Sequence, residues 1–331
     1  MKVGSRALQF LLAMILTQLV AHSHAAGPQR LEPGNTLFQH ILGLTLEYYR
    51  AWSYTSEDTV FDQAGEYYAG GADNVYWDPL PPLEGYRGWS EYKNVIATVW
   101  KPSGMQAAGI LFAHDGSFQA WRHGEVVWTT GNCLVSAQHS NGSTSTMPCR
   151  GTQVWTREGD SWLVAHEHFS STITPDASLF QGKRKPDAKI TVNRDFLQRA
   201  KEHARNWTAS SLDNSSSSPG AYYPGGDTRL YMPWPPHDGY PNWSSMSAGL
   251  SDYLGLLAKE IKLTINEDLE THQMGEVTWT TATVNLQFDL HDGRQTAGRG
   301  RQSLIWIRQD GKWLIAHEHL SLPLNKEATH E

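Results

Sequence analysis

Along residues 35–53, apolar and aromatic side chains recur at positions 37, 38, 41, 44, 48, 49 and 52, with Thr45 on the same face. This spacing of about 3.6 residues predicts an amphipathic helix. A second short helix is predicted from Glu57 to Tyr68, behind Ser56 as its N-cap. The pattern then changes. The run "NVYWD" reads as a strand, a Pro-rich turn follows, and a helix is predicted from about Ser90 to Val99. Trp and β-branched runs broken by Gly, Asn and Asp then predict strands near 107–113, 125–138 and 148–157, closing with 161–170. Helices first and an antiparallel sheet afterward predict an α+β fold, with the helices on one face of a curved sheet.

The same order occurs twice. Moving residues 124–170 forward by 151 superposes them without gaps on 275–321, with 17 identities in 47 positions. The matching pieces include "GEVVWTT" with "GEVTWTT", Arg150 with Arg301, and "WLVAHEHFS" with "WLIAHEHLS". Upstream, at a slightly longer offset, "YYAGG" pairs with "YYPGG" and "PPLEGYRGW" with "PPHDGYPNW". Two units of this size indicate a tandem pair rather than a many-unit solenoid. The expected division is 31–174 and 191–324, joined by a polar linker at 175–190 that contains the basic cluster Lys183-Arg184-Lys185.

Residues 1–26 have the three parts of an export signal: Lys2 and Arg6, an apolar run from Ala7 to Ala21, then "AHSHAA", with cleavage expected after Ala25 or Ala26. No later stretch has the 18 or more apolar residues of a membrane span, so an exported soluble protein is expected. The formal net charge of −7 argues against a nucleic-acid partner, which would favour a basic face. Export changes how the two cysteines read. Cys133 and Cys149 fall on one apparent hairpin with its turn near Asn141-Gly142, opposite each other, so a disulfide is expected in an oxidising compartment. Sequons stand at Asn141, Asn206, Asn214 and Asn242, glycan sites if the source is eukaryotic.

The pattern "DNVYWDP…LEGYRGW", then "GEVVW", then "WTREGDSWLVAHEHFS" resembles the SnoaL-like branch of the nuclear transport factor 2-like superfamily. The resemblance implies two tandem cone-shaped domains, each a strongly curved antiparallel sheet wrapped around about three N-terminal helices with a pocket between. It also implies pairing through the sheets, here as an internal pseudo-dimer, with further homo-oligomerisation open. The chemistry it implies is broad, because isomerases, cyclases, dehydratases, transport adaptors and assembly modules share the scaffold. The closing strand also resembles the association domain of calcium/calmodulin-dependent kinase II, but Gln153 and Phe169 stand where its pocket arginines would be. Iota-type carbonic anhydrases are similar more distantly. Their His-His-His-Ser-Ser strand corresponds to His166, Glu167, His168, Phe169 and Ser170, so the middle His and first Ser are replaced.

The repeated "AHEH" admits two chemistries. His166 and His168, with His317 and His319 in the second copy, have a spacing that suits a metal. A third ligand would have to come from His114, His123 or His139, none of which is repeated, so hydrogen-bonded structural histidines are the favoured reading and no metal or other cofactor is expected. Strict alternation would place Trp162, Val164, His166, His168 and Ser170 on one face and Leu163, Ala165, Glu167 and Phe169 on the other. Glu167 would then be a carboxylate in apolar surroundings, with a raised pKa suited to general acid-base work. Asp78 is its expected partner, with Tyr76 or Tyr86 as an oxyanion donor. Trp77, Gln153, Trp155, Phe169, Glu318 and Tyr231 are the candidate pocket residues. The upstream match pairs Tyr76 with Tyr231 and Tyr86 with Tyr240, and puts Pro233 or Trp234 opposite Asp78. The first copy is therefore the better candidate for catalysis. Arg150 and Arg301 could hold an anion or pair with an acid.

No G-x-S-x-G, G-x-x-x-x-G-K-[ST] or G-x-G-x-x-G motif occurs, which removes the commonest hydrolase, nucleotide and nicotinamide readings. What remains is an aromatic pocket for a small, mostly apolar molecule, used for isomerisation, cyclisation, dehydration or a lyase step. The alternatives are a ligand-binding or association module without turnover, and hydration of carbon dioxide.

Overall fold

The computed structural model describes residues 27–53, 63–71, 73–79, 82–94, 107–139, 142–172, 192–206 and 223–322. The export segment, the first half of the second predicted helix, residues 95–99 of the third, Asn141, Asn214 and the linker with its basic cluster lie outside these residues. Each copy begins with an Asn-capped helix. α1 (Thr36–Trp52) starts where the Asn35 side chain accepts from the amides of Leu37 and Phe38. α3 (Arg194–Arg205) starts in the same way on Asn193, which accepts from Asp195 and Phe196. Such a cap satisfies amides that have no partner within the helix. The remaining helices are the short α2 (Gly88–Lys93) and the longer α4 (Trp243–Leu257). Of the second predicted helix, the described residues hold helical residues 63–64 and a 3-10 turn at Gly65–Tyr67.

The first sheet contains β1 (Gln29–Leu31), β2 (Val75–Trp77), β3 (Tyr86–Arg87), β4 (Ala107–His114), β5 (Gln119–His123), β6 (Val126–His139), β7 (Thr144–Glu158) and β8 (Ser161–Ser170). Its order is β1-β5-β6-β7-β8-β2-β3, with β4 on the other half of β6. The second sheet contains β9 (Leu230–Tyr231), β10 (Ala258–Ile265), β11 (Glu270–Met274), β12 (Val277–Leu290), β13 (Gln295–Gln309) and β14 (Lys312–Ser321), ordered β10-β12-β13-β14-β9 with β11 on β12. The short strand β5 and the edge strand β1, unlike the long ladders, had no clear signal in the hydrophobic pattern.

The architecture is thus α+β, two sheets with few helices. The strong curl expected of each sheet is not found. The central ladders β6–β7 and β12–β13 run without a register shift, and the face of each sheet turned away from its helices lies against the other sheet. Sheets packed face to face must keep their inner surfaces matched over many strands, which limits how far either can bend. Trp121, Trp128, Val154, Ala165, Trp279, Ile305, Ile307 and Ala316 form the apolar part of this contact. The helices cover the opposite faces, around Trp155 in one domain and Trp306 in the other.

One irregularity decides the site. Between Val154 and Trp155 the β7–β8 register skips Ala165, and between Ile305 and Trp306 the β13–β14 register skips Ala316. A β-bulge of this kind reverses the alternation beyond it. Trp162 and Val164 therefore join Glu167 and Phe169 toward the helices, while Ala165 and Leu163 face the other domain. The strictly alternating assignment is corrected on this point: Leu163 and Ala165 do not surround Glu167.

The sheet register also corrects the upstream match. Tyr76 is the Cα partner of Glu167 and Trp77 of His168, whereas Leu230 partners Glu318 and Tyr231 partners His319. Tyr231 is therefore the counterpart of Trp77, and Met232, not Pro233 or Trp234, is the counterpart of Asp78. Gly85 and Gly239 mark the same turn in the two domains, both at φ +70°. A Cβ on Gly85 would lie 2.0 Å from Trp77 Cδ1 and 2.6 Å from the Tyr76 carbonyl oxygen. Gly85→Ala is accordingly expected to lose about 3 kcal/mol or more in urea denaturation. Gly34→Ala, with nothing within 4 Å of its new methyl, should stay within about 0.5 kcal/mol of wild type.

Candidate acid-base site and the histidine relay

β8 presents two different chemistries on its two faces. Toward the helices, Glu167 is wholly buried. Tyr48 from α1 donates to its Oε2, Gln153 Nε2 from β7 donates to the same oxygen at 3.1 Å, and Tyr92 from α2 donates to Oε1 at 3.1 Å. The Tyr68 hydroxyl lies 3.4 Å from Oε1 and 2.8 Å from the Tyr48 hydroxyl, and it accepts from Trp52 Nε1 at 3.2 Å. No described cation touches the carboxylate. Burial raises its pKa to about 7, partly offset by the hydrogen bonds from Tyr48, Gln153 and Tyr92. Burial also holds Tyr48, Tyr68 and Tyr92 well above the ordinary phenol range, with the Glu167 charge adding to it, so all three remain neutral donors.

Of the residues expected here, Glu167, Gln153, Trp155 and Phe169 do share the helix-covered face. Phe169 lies over Gly151, where an added Cβ would come within 2.4 Å of its ring. Trp155 Nε1 donates to Thr129 Oγ1 at 3.2 Å, which makes it a core residue. Tyr76 and Tyr86 stack on Tyr92, with centroids 5.7 and 5.1 Å away, and the Tyr76 hydroxyl donates to the Val164 carbonyl at 3.3 Å. The hydroxyls that meet Glu167 belong instead to Tyr48, Tyr68 and Tyr92. Tyr48 was visible in the sequence only as one of several aromatics on a helical stripe. Asp78 is buried at the end of β2, its charge is felt at Glu167, Tyr86 and Tyr92, and its backbone carbonyl accepts from Arg301 of the second domain.

The second domain carries a different set. Glu318 is equally buried, but His203 Nε2 from α3 lies 3.2 Å from Oε2, Tyr223 donates to the same oxygen, and Gln302 Nε2 donates to Oε1 at 2.6 Å. Burial would raise this carboxyl, yet His203, together with the hydrogen bonds from Tyr223 and Gln302, holds the group below its ordinary value. Two matched glutamates thus differ in electrostatics because one has phenols around it and the other an imidazole.

The opposite face of β8 holds the histidines, at the contact between the two domains. His166 Nδ1 is 2.6 Å from the Val75 carbonyl oxygen, so that nitrogen must carry the proton. His166 Nε2 must then accept from the Ser303 hydroxyl at 2.8 Å, leaving the Ser303 oxygen to accept from His168 Nδ1 at 2.9 Å. His168 Nε2 in turn accepts from the Ser321 hydroxyl at 2.6 Å. The other half repeats this by pseudo-twofold symmetry: His317 Nδ1 donates to the Arg229 carbonyl at 2.7 Å, Thr152 donates to His317 Nε2 at 2.8 Å, His319 Nδ1 donates to Thr152 at 2.9 Å, and Ser170 donates to His319 Nε2 at 2.7 Å. His168 and His319 stack across the axis, 3.7 Å apart and 7° from parallel. Each ring is neutral in this relay. Burial lowers His166 to about 3 and His317 to about 4, and takes His168 and His319 well below the ordinary value. Every ring nitrogen of the four histidines is thus engaged with protein.

Trp77 and Tyr231 belong to this interface, not to a pocket. Their rings lie edge-on to His168 and His319, at 4.9 and 5.0 Å. Arg150 and Arg301, both fully buried, reach across it to backbone carbonyls of the opposite domain, so the anion-binding reading does not hold for either. Cys133 and Cys149 are directly opposed Cα partners, as expected, but they are present as two buried thiols rather than a disulfide. The hydrogen bond to Cys133 and burial raise the Cys149 thiol.

No curated protein matches this chain. Among solved structures, a nuclear transport factor 2-like superfamily protein from Salmonella enterica serovar Typhimurium LT2 is similar at 19% identity, covering 40% of this chain and 93% of its own, with a TM-score of 0.33. A protein described as a calcium/calmodulin-dependent protein kinase II association domain from Xanthomonas campestris is similar at 15% identity over 46% of this chain and 99% of its own, TM-score 0.35. A protein described as a scytalone dehydratase from Novosphingobium aromaticivorans is similar at 10% identity over 46% and 95%, TM-score 0.34. The SnoaL-like domain family matches residues 46–174 and again residues 237–325, more than half of the chain, and the chain belongs to that family.

Proposed function

We propose that this is an exported two-domain protein whose first domain carries a cofactor-free acid-base site for a small, mostly apolar organic molecule. The reaction class is isomerisation, cyclisation, dehydration or a related lyase step. One observation carries the reading: Glu167 is enclosed by neutral phenols and an amide, with no cation among the described residues touching it, and burial pushes its pKa up to about 7. A carboxyl there is available as base and as acid near neutral pH, where proton transfer is most efficient. Ionised, Glu167 would take a proton from an acidic C–H; protonated, it would return one to a neighbouring atom. Tyr48, Tyr68 and Tyr92 would donate to the oxygen on which charge develops. Asp78 supplies a second carboxylate close enough to influence Glu167 and Tyr92. The second domain, with Glu318 paired to His203 and Met232 in place of Asp78, has a structural role in this reading.

A second reading, a binding or association module without turnover, is favoured by the complete burial of Glu167 and by the extent of the interdomain contact. The two separate in one experiment. Native mass spectrometry of the protein from an exporting host should reveal a retained small molecule. Incubated with that compound, wild type should convert it and Glu167→Gln should bind it unchanged, with a rate lower by about 100-fold or more. A compound left unchanged by both proteins would establish the binding module instead. Carbon dioxide hydration is the least supported option, because the histidines it would use are engaged at the interface; stopped-flow hydration is expected to show no rate above buffer.

A further inference from the structure

Arg301 stands on β13 of the second domain, yet its guanidinium ends in the first. Nε donates to the Leu83 carbonyl at 2.9 Å, Nη1 to the Asp78 carbonyl and Nη2 to the Pro82 carbonyl. The side chain is fully buried and its carbon centre lies 5.9 Å from the Trp77 ring centroid. These three carbonyls bracket the turn between β2 and β3, which has Asp78 at its start and Tyr86 at its end. The groups whose charge reaches the guanidinium are Asp78, Tyr86, Glu84 and Tyr92.

Arg150 makes the mirror-image clamp on the second domain, donating to the carbonyls of Met232, Pro236 and His237. There, however, Met232 occupies the position of Asp78. The clamp is duplicated, but only in the first domain does the first clamped carbonyl belong to a carboxylate residue.

We infer that Arg301 is a positioning residue of the first domain's site, donated by the second domain: it fixes the backbone at Asp78 and sets a permanent positive charge in the field shared by Asp78, Tyr86 and Tyr92. This rests on the acid-base reading of that site and gives the second domain a part in it. A planar guanidinium spans three carbonyls at once, whereas a Lys ammonium keeps the charge but not the fork.

The mirror pair supplies the control. In protein labelled with carbon-13 at Asp carboxyls, Arg301→Met should move the Asp78 titration midpoint upward by about half a pH unit or more. It should also speed amide exchange at Leu83, Glu84 and Gly85 about tenfold or more. Arg301→Lys should restore the midpoint and not the exchange protection. Arg150→Met should speed exchange at His237, Asp238 and Gly239 and leave the Asp78 midpoint in place. An Asp78 midpoint unmoved by Arg301→Met, or moved equally by Arg150→Met, overturns the inference. If Arg301→Met does not fold, Arg301→Lys decides: faster exchange confined to 83–85 supports the clamp, and equal acceleration at 237–239 overturns it. The titration needs no turnover, so failure of Glu167→Gln to stop conversion would sink the acid-base reading and leave this result readable by itself.

Discussion

Lowering the pH from 7 to 4 is expected to weaken the contact between the two domains and to reduce the stability of the whole chain by several kcal/mol. The cause is the four-histidine relay, in which each ring has one donor and one acceptor nitrogen already assigned. A second proton on His166 or His317 would place an N–H against the Ser303 or Thr152 hydroxyl, whose donor role is fixed by the rest of the chain of bonds. Their folded-state pKa values, about 3 and about 4, lie below the ordinary 6.5. The unfolded chain therefore binds more protons, and stability rises with pH across this window. The contribution is complete above about 6.5 and is lost progressively as pH falls toward 4 and 3. Each unit of depression corresponds to about 1.4 kcal/mol. Glu167 has the opposite sign. Its pKa is raised from 4.5 to about 7, so its contribution is present below 4.5 and lost as pH rises to 7. Denaturation midpoints from pH 3 to 8 should thus fall on the acid side for wild type, and Glu167→Gln should steepen the rise between pH 4.5 and 7, because it removes the opposing slope of Glu167. An acid limb no steeper than that of a double variant with His166 and His317 replaced by Gln would contradict the assignment of the acid loss to the relay.

Arg150→Met is expected to cost about 3–5 kcal/mol, the second large effect. The guanidinium is fully buried and remains cationic at neutral pH even though burial lowers its pKa to about 10. It donates to the Met232, Pro236 and His237 carbonyls and, through Nε, to Ser170 at 3.2 Å. Removing it leaves those carbonyls without a donor in a dry contact, and a buried acceptor left unpaired loses its full desolvation cost. It also removes the Ser170 donor at the end of the relay, where that hydroxyl serves His319. The measurement is a urea denaturation with Arg122→Met as a comparison. Arg122 is partly exposed and donates to the nearby Gly124 carbonyl, so its loss should cost less than about 1 kcal/mol. Equal losses in the two variants would mean that the clamp contributes little.

How far the sequence reached differs from feature to feature. The strand ladders from 126 to 170 were legible because long alternating Trp and β-branched runs are strong signals, and their repetition at an offset of 151 fixed the count of domains. The position of Glu167 was legible, on the face opposite the histidines. Its surroundings were not, because a single skipped residue at Ala165 reverses the alternation, and nothing local in "WLVAHEHFS" distinguishes a bulged strand from a regular one. Leu163 and Ala165 were therefore placed around a carboxylate that is in fact enclosed by phenols from α1, α2 and the 3-10 turn. The one-residue error that paired Tyr76 with Tyr231 has the same origin: short strands such as β2 and β9 carry too few residues to fix a register without their partner β8 or β14.

By itself the sequence determined the duplication, the α+β class and the shared closing strand, since each depends on residues near one another in the chain. The tertiary structure alone decided which face meets which partner. It turned "AHEH" into a neutral relay between domains by setting Ser303, Ser321, Thr152 and Ser170 against the imidazoles. It also gave Glu167 phenols where Glu318 has an imidazole. Hydrogen-bond partners more than a hundred residues apart set both outcomes, and no local pattern encodes the dielectric and the donors that such partners impose.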